Sequence, residues 1–358
     1  MPWLPLANNA AIHSHDAVLF SEHLFPISGL KGFTDRYHTL SAEQLISFYR
    51  NESPLKIELF GKLYVLPLSV CAQYSDNSLS LVLCKKNDIK YSVPEVLTDY
   101  TTPILNELKK DNKSHDGAVT RLASFEDNVC VLQEASYFDG VATNFAIDHL
   151  PIDRTETLRQ YLHSNSHSLG GLRNNSLVNH VGMVCMIETS DGKLIIQKRG
   201  SDVSNRAGTL SSSVSGAIDW SDIYDKDTPF PIEDLAESIL RETSEELNIS
   251  IDKVVYLGLL REYLRGGKPE LYFFAKTHSP FHAVYSKWRE NAKDRHESSS
   301  LIEYDYHSNR LEESEFARDS FQQRVEWILT SINEDANLTL VAGIIMTTSY
   351  LLEHCSHD

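Results

Sequence analysis

The sequence is short of cations. Its 358 residues carry 33 Lys and Arg against 50 Asp and Glu, a net charge of −17. A basic footprint for nucleic-acid phosphates is missing, and an anionic membrane surface would repel the chain. Cysteine is sparse as well: Cys71, Cys84, Cys130, Cys185 and Cys355 form no CxxC pair. That odd scatter argues against a disulfide framework or a zinc knuckle and fits reduced thiols. The fifteen histidines include no HExxH, so a histidine metal site is not expected. No GxxxxGK[ST] or GxGxxG occurs either, and the one GG pair of the linker region lies in a Ser/Asn-rich run, which excludes the common phosphate loops.

Long apolar runs are also absent. The longest, Leu338–Leu352, is broken by Thr339, Thr347, Thr348 and Ser349. A membrane span needs about twenty apolar residues, so a buried C-terminal helix is the expectation. The opening MPWLPLANNAAIHSHD has neither a basic segment nor an adequate apolar core for a secretory signal. A soluble, cytoplasmic protein is expected, with no nucleic-acid or membrane partner.

What is present is ordinary globular composition, 41% hydrophobic and 23% charged, over a length that predicts two domains. The Ser, Asn and Gly-rich stretch HSNSHSLGGLRNNS (163–176) reads as the linker, giving parts at 1–170 and 171–358. The first alternates strand-like runs (KIELF, KLYVLPLSV, LSLVLCK, NVCVLQEASYF) with helical patterns near 41–50, 100–110 and 153–163, a mixed α/β domain. The second opens on a hairpin signal, NHVGMVCMIE and KLIIQKRG about an Asp191-Gly192 turn. TLSSSVSGAIDW follows as a strand-like run ending at Gly216, then a polar loop over 217–230 and a helix over about 232–247. A second hairpin is predicted about Gly266-Gly267, a strand at 300–306, and helices near 313–333 and 338–352.

The helix over 232–247 concentrates acid. Ile232, Leu235, Ala236, Ile239, Leu240 and Leu247 recur at helical spacing and predict one buried stripe. Pro231 suits its first turn and Asn248 the left-handed residue past its end. Off the stripe, Glu242 stands three and four residues from Glu245 and Glu246. Like charges at that spacing destabilise a helix by roughly a few tenths of a kcal/mol per pair. A hard divalent cation such as Mg²⁺ or Mn²⁺ reverses the sign, taking carboxylates together with substrate phosphates. Spacing alone leaves a solvated acidic face equally open.

Glu233, then Arg241-Glu242, then Glu245-Glu246 reproduces E-x7-R-E-x-x-E-E, and Gly216 precedes it after a strand. This pattern resembles the Nudix box. The resemblance departs in three places: the glycine-to-glutamate interval is longer by about eleven residues, Thr243 replaces an aliphatic residue, and Asn248 replaces a glycine. It implies a Nudix α/β/α sandwich behind the mixed α/β N-terminal part, and metal-dependent hydrolysis of a nucleoside diphosphate linked to another moiety. It implies Glu242, Glu245 and Glu246 as Mg²⁺ ligands, with Mn²⁺ as a substitute. Arg241 and Glu233 would brace the box through a salt bridge. A further carboxylate is expected downstream, with Glu297, Glu303 and Glu270 as candidates.

FDGVATNFA (138–146), ELNIS, YLGLLREY with ELYFFAK, and RHESSSLIEYD (295–305) also resemble, loosely and in order, the branch of that superfamily whose animal members hydrolyse UDP-glucose. That likeness favours Glu297 as a catalytic and metal residue, with His296 and Ser298 beside it. It implies UDP-sugar cleavage to UMP and a sugar 1-phosphate. Lys198, Arg199 and Gly216 are the candidate substrate-binding residues, with ordinary strand-end charge an equal reading for the first two. Thr143 and Asn144 either touch a nucleotide or shape a turn, the turn being favoured. Other Nudix substrates (ADP-ribose, a dinucleoside polyphosphate, NADH) stay open, as does a non-catalytic nucleotide sensor. Oligomeric state is not legible.

Overall fold

A computed structural model describes residues 17–19, 40–73, 80–83, 90–110, 115–201, 207–311, 314–332 and 335–354. Cys84, Cys355 and the opening sixteen residues lie outside these. In chain order the elements are β1 (Ala17–Leu19), α1 (Ala42–Phe48), β2 (Leu55–Leu59), β3 (Lys62–Leu66), β4 (Leu68–Gln73), β5 (Ser80–Leu83), α2 (Thr98–Lys110), β6 (Ala118–Glu126) and β7 (Val129–Ser136). A short helical segment, α3 (Tyr137–Gly140), and α4 (Leu158–His163) lead to β8 (Gly182–Glu188), β9 (Lys193–Arg199), β10 (Leu210–Ser211), β11 (Val214–Ala217) and β12 (Phe230–Pro231). Then come α5 (Ala236–Leu247), β13 (Val255–Glu262), β14 (Lys268–Lys276), α6 (Phe281–Asn291), β15 (Ser298–Asp305), α7 (Glu315–Ile332) and α8 (Leu338–His354). The fold class is mixed α/β, as expected.

The central sheet has eight strands on the path β10-β9-β8-β14-β13-β4, with β11 on β8 and β15 on β9. Both of its faces are covered. Val184 and Met186 of β8 join Tyr272 and Phe274 against α7 and α8. The alternate residues Met183, Cys185 and Ile187 join Leu271 and Phe273 against α5 and α6. A strand buried on both faces loses its polar alternation, which is why β8 reads as an unbroken apolar run. α8 is buried around nearly its whole girth, and no described helix is long and apolar enough to cross a membrane.

Strand pairing runs across residue 170 in both directions. β4, from the first half, closes the edge of the central sheet on β13. β12, from the second half, pairs with β5 in a separate sheet ordered β12-β5-β7-β6.

The run over 209–220 is two strands, not one. β8 and β9 share a single paired position, Glu188 with Leu194, before they splay, and β11 then follows β8 while β10 follows β9. Ser213 fills the fork: its Oγ donates to the Ile195 carbonyl at 2.5 Å and accepts from the Ile187 amide at 2.8 Å. The opened fork is what lets the central sheet meet α5.

α5 is preceded by a 3-10 turn, Ile232–Leu235, and Pro231 stands just before that turn in extended conformation instead of within it. Asn248 takes the left-handed position, φ 54°, as expected. Leu240 departs from the expected stripe and is exposed. Ser238 and Thr243 are buried in its stead, Thr243 donating to the Ile239 carbonyl at 2.7 Å. A hydroxyl that returns its hydrogen bond to the preceding turn tolerates the apolar side of a helix.

Candidate functional site

β11 and α5 meet at Gly216 and Glu242. A Cβ on Gly216 would lie 2.6 Å from Glu242 Oε1 and 2.7 Å from its Cδ. The glycine therefore makes room for a carboxylate. Burial, over the opposing effect of Arg241, pushes the Glu242 carboxyl up to about 7, with Glu245, Asp219 and Glu297 adding like charge.

Glu246 lies one face further in and is buried. Gln197 Nε2 donates to its Oε2 at 2.5 Å, and the Ser215 amide to its Oε1 at 3.3 Å. Burial, with Glu242 and Glu297 as negative neighbours, holds its carboxyl well above the usual range. Gln197 also donates to the Ser213 carbonyl at 2.7 Å and accepts a hydrogen bond from Ser298 Oγ. Ser298 follows Glu297 directly, so one amide ties the buried acid to the loop bearing the downstream acid. Gln197 was not singled out in the sequence, where it is one polar residue inside an apolar strand. That placement was the available signal.

Arg241 is the hub of the outer acids. It reaches Asp222 from both Nε, 3.3 Å, and Nη2, 3.0 Å. It also pairs with Glu242 at 3.1 Å, Glu245 at 3.0 Å and Asp219 at 3.7 Å. Lys293 holds the other oxygen of Glu245 at 2.5 Å, and these hydrogen bonds lower the Glu245 carboxyl below its ordinary range. Glu233 is exposed on the 3-10 turn and is not among the acids that contact Arg241. The expected brace is instead made by Asp222, from the segment that lengthens the glycine-to-helix interval.

Glu297 sits on a 3-10 turn before β15, 3.8 Å from Arg199 Nη2. Arg199 is half-buried and Lys198 exposed at the end of β9, while His296 is exposed. The other two downstream candidates lie elsewhere. Glu303 stands on β15 beside Lys193 at 3.8 Å. Glu270 is buried against Lys268, over Gly182, where a Cβ would meet its carboxylate. Thr143 and Asn144 are wholly buried and structural: Asn144 exchanges hydrogen bonds with Asn179 and donates to the Arg265 carbonyl at 2.9 Å.

Among the described residues, no three His, Cys, Asp or Glu side chains stand close enough together to hold a metal ion. Glu245 is drawn to Arg241 and Lys293. Glu246 is a buried and Glu242 a half-buried oxygen donor, and each carboxyl is raised by the other's charge and by that of Glu297. Carboxylate oxygens are the donors a hard divalent cation takes, but Glu242, Glu246 and Glu297 would have to draw closer together to hold one, and Glu245 would have to give up Lys293.

Comparison with family models gives no match, and comparison with curated proteins gives none. Among solved structures, a Nudix-family hydrolase from Clostridium perfringens is 13% identical, over 42% of this chain and 99% of its own, with a TM-score of 0.25. A Nudix hydrolase from Nitrosomonas europaea is 14% identical over 44% and 92%, TM-score 0.25. A Bacillus subtilis pyrophosphohydrolase is 13% identical over 50% and 83%, TM-score 0.27. At such identities and TM-scores these likenesses assign neither a family nor an activity to the chain.

Proposed function

We propose that the protein is a divalent-metal-dependent hydrolase of the Nudix type. It would cleave the phosphoanhydride of a nucleoside diphosphate linked to a second moiety. The observation that carries this reading is the meeting of Gly216 with Glu242, alongside buried Glu246, at one junction of sheet and helix. An acidic face kept only for solubility has no use for two desolvated carboxylates, because burying charge without a partner is costly.

Glu242, Glu245, Glu246 and Glu297 would hold Mg²⁺, or Mn²⁺ in its place, by drawing closer together than they now stand. When bound, the ion offsets the negative charge of the diphosphate and lowers the pKa of an attacking water. The chain's own residues supply the rest. Gln197 and the Ser215 amide fix the Glu246 carboxylate, Gly216 leaves space for Glu242, and Arg241 sets the outer acids. Lys198 and Arg199, at the end of β9, would meet the diphosphate oxygens. In its finer form the reading takes a UDP-sugar such as UDP-glucose as substrate and UMP with a sugar 1-phosphate as products.

The test is incubation with Mg²⁺ and a panel of UDP-glucose, ADP-ribose, dinucleoside polyphosphates and NADH, with products identified by chromatography. Release of UMP from UDP-glucose supports the sugar form. Cleavage of another member without UMP release sinks it and keeps the enzyme reading. No cleavage of any member overturns the enzyme reading in favour of a nucleotide-binding protein without turnover.

A further inference from the structure

The segment 217–230 lengthens the interval between Gly216 and the acidic helix, and it could be a tolerated surface loop. Its fixation argues otherwise. Its backbone is tied on one side, where the Ile218 amide donates to the Val181 carbonyl at 3.0 Å and the Thr120 amide to the Ile218 carbonyl at 2.9 Å. Thr120 Oγ1 adds a bond to the Asp219 carbonyl at 3.3 Å. Ile218, Ile223 and Phe230 are buried in the same core as Ile239 of α5. Between these anchors the 3-10 turn Trp220–Asp222 aims Asp222 at Arg241.

The contact is two-pronged. A carboxylate taken from both Nε and Nη2 fixes the plane of a guanidinium, which a single contact does not. With that plane fixed, Nη1 faces Glu245 and Nη2 faces Glu242. Asp222 is mostly buried, at 13% side-chain exposure against 32% for Arg241, so the pair is shielded from water and salt on its inner side.

We propose that the segment 217–230 is a built part of the site, and that Asp222 is the positioning residue that holds Arg241 against Glu242 and Glu245. It acts through Arg241 and touches no substrate. The role that the helix's own Glu233 would fill has passed to the inserted segment, and Glu233 is left free in solvent. This rests on the reading of Glu242 as part of the catalytic site.

The experiment compares Asp222→Asn, Asp222→Glu and Glu233→Gln in the full chain by two readouts. The first is independent of activity: the Nε–H proton of Arg241 in ¹H–¹⁵N spectra, assigned by its loss in Arg241→Lys. It should stay protected in Glu233→Gln and be lost in Asp222→Asn. The second is turnover of whichever nucleotide the wild type cleaves. Asp222→Asn should lower kcat about 10- to 100-fold, the usual scale for a residue that orients a ligand, with KM changed less than threefold. Asp222→Glu should recover part of the loss, and Glu233→Gln should cost less than threefold. A larger loss in Glu233→Gln than in Asp222→Asn, or a protected Arg241 signal in Asp222→Asn, overturns the proposal. If Asp222→Asn does not fold, Glu233→Gln still decides: loss of the Arg241 signal there is fatal to the proposal, and its retention supports it. If the wild type cleaves no nucleotide, the functional reading fails while the spectroscopic arm still judges Asp222.

Discussion

Gln197 spans Glu246 and Ser298: its Nε2 donates to the buried carboxylate at 2.5 Å, and its Oε1 takes the hydrogen bond of the Ser298 hydroxyl. The donor end can serve Glu246 only while the acceptor end faces Ser298. Replacing Gln197 with Leu preserves bulk on β9 but strips the buried acid of a hydrogen bond. Leaving a buried polar group without its partner costs about 1–3 kcal/mol. A fall in unfolding free energy of that size is expected by urea denaturation, together with a kcat at least tenfold lower. Wild-type turnover in Gln197→Leu would show that Glu246 needs no orientation.

Glu246→Gln keeps shape and removes charge. Burial, with Glu242 and Glu297, already disfavours the charge, which offsets the one hydrogen bond lost where an NH₂ replaces an oxygen that accepts from Gln197 or Ser215. Hydrolysis should be abolished while the chain still unfolds in one cooperative thermal transition. Retained turnover would mean that the acid site is misassigned.

The order of the strands, the two hairpins, the acidic helix and its left-handed Asn248 end were legible in the sequence, because each rests on local periodicity or one residue's backbone preference. Leu240 was not, since the helix turns the side bearing Ser238, Thr243 and Glu246 into the core and leaves the leucine in water. Asp222 was hidden for another reason. Its partner lies nineteen residues away across a loop whose path no local pattern sets. Glu297 was favoured only through resemblance, and its charge reaches Glu242 and Glu246 only through the tertiary fold.

Gly216→Ala tests the space left for Glu242. The added methyl would lie 2.6 Å from Oε1, so the carboxylate must swing away, which a flexible side chain does cheaply. Stability should change by less than about 1 kcal/mol, as for a strand glycine replaced where φ allows it. Turnover should fall at least tenfold. A variant with normal kcat would show that the Glu242 position is not critical.

Glu270 should behave in the opposite way to Glu297. Its partner Lys268 is buried with it, and removing one member of such a pair strands the other, costing about 3–5 kcal/mol. Glu270→Leu is therefore expected to lower stability by that order in denaturant while kcat per folded molecule stays near wild type. Glu297→Gln should lose turnover and keep its stability. The reverse pattern would make Glu270 the downstream functional acid.

The last prediction concerns acid. His163 Nδ1 shares a hydrogen bond with the Tyr49 hydroxyl at 2.8 Å, and that hydroxyl also accepts from Arg159 Nη1 at 2.8 Å. Burial, with the cations Arg159 and Arg261 nearby, favours the neutral imidazole and lowers its pKa to about 3. An unfolded histidine titrates near 6.5. Between those values the unfolded chain binds the extra proton, so acidification favours unfolding. The stability is intact above about pH 6.5 and is lost as pH falls below it, at up to about 1.4 kcal/mol per pH unit for this one residue. Other buried groups add to the slope, His180 among them, so His163 must be isolated by difference. His163→Gln can still accept the Tyr49 hydroxyl but cannot titrate. The stability gap between wild type and His163→Gln should be constant above pH 7 and shift in favour of the variant by about 1.4 kcal/mol per unit below pH 6. A gap that holds constant from pH 7 to pH 5 in urea titrations would show that His163 is protonated in the folded chain as readily as in the unfolded one.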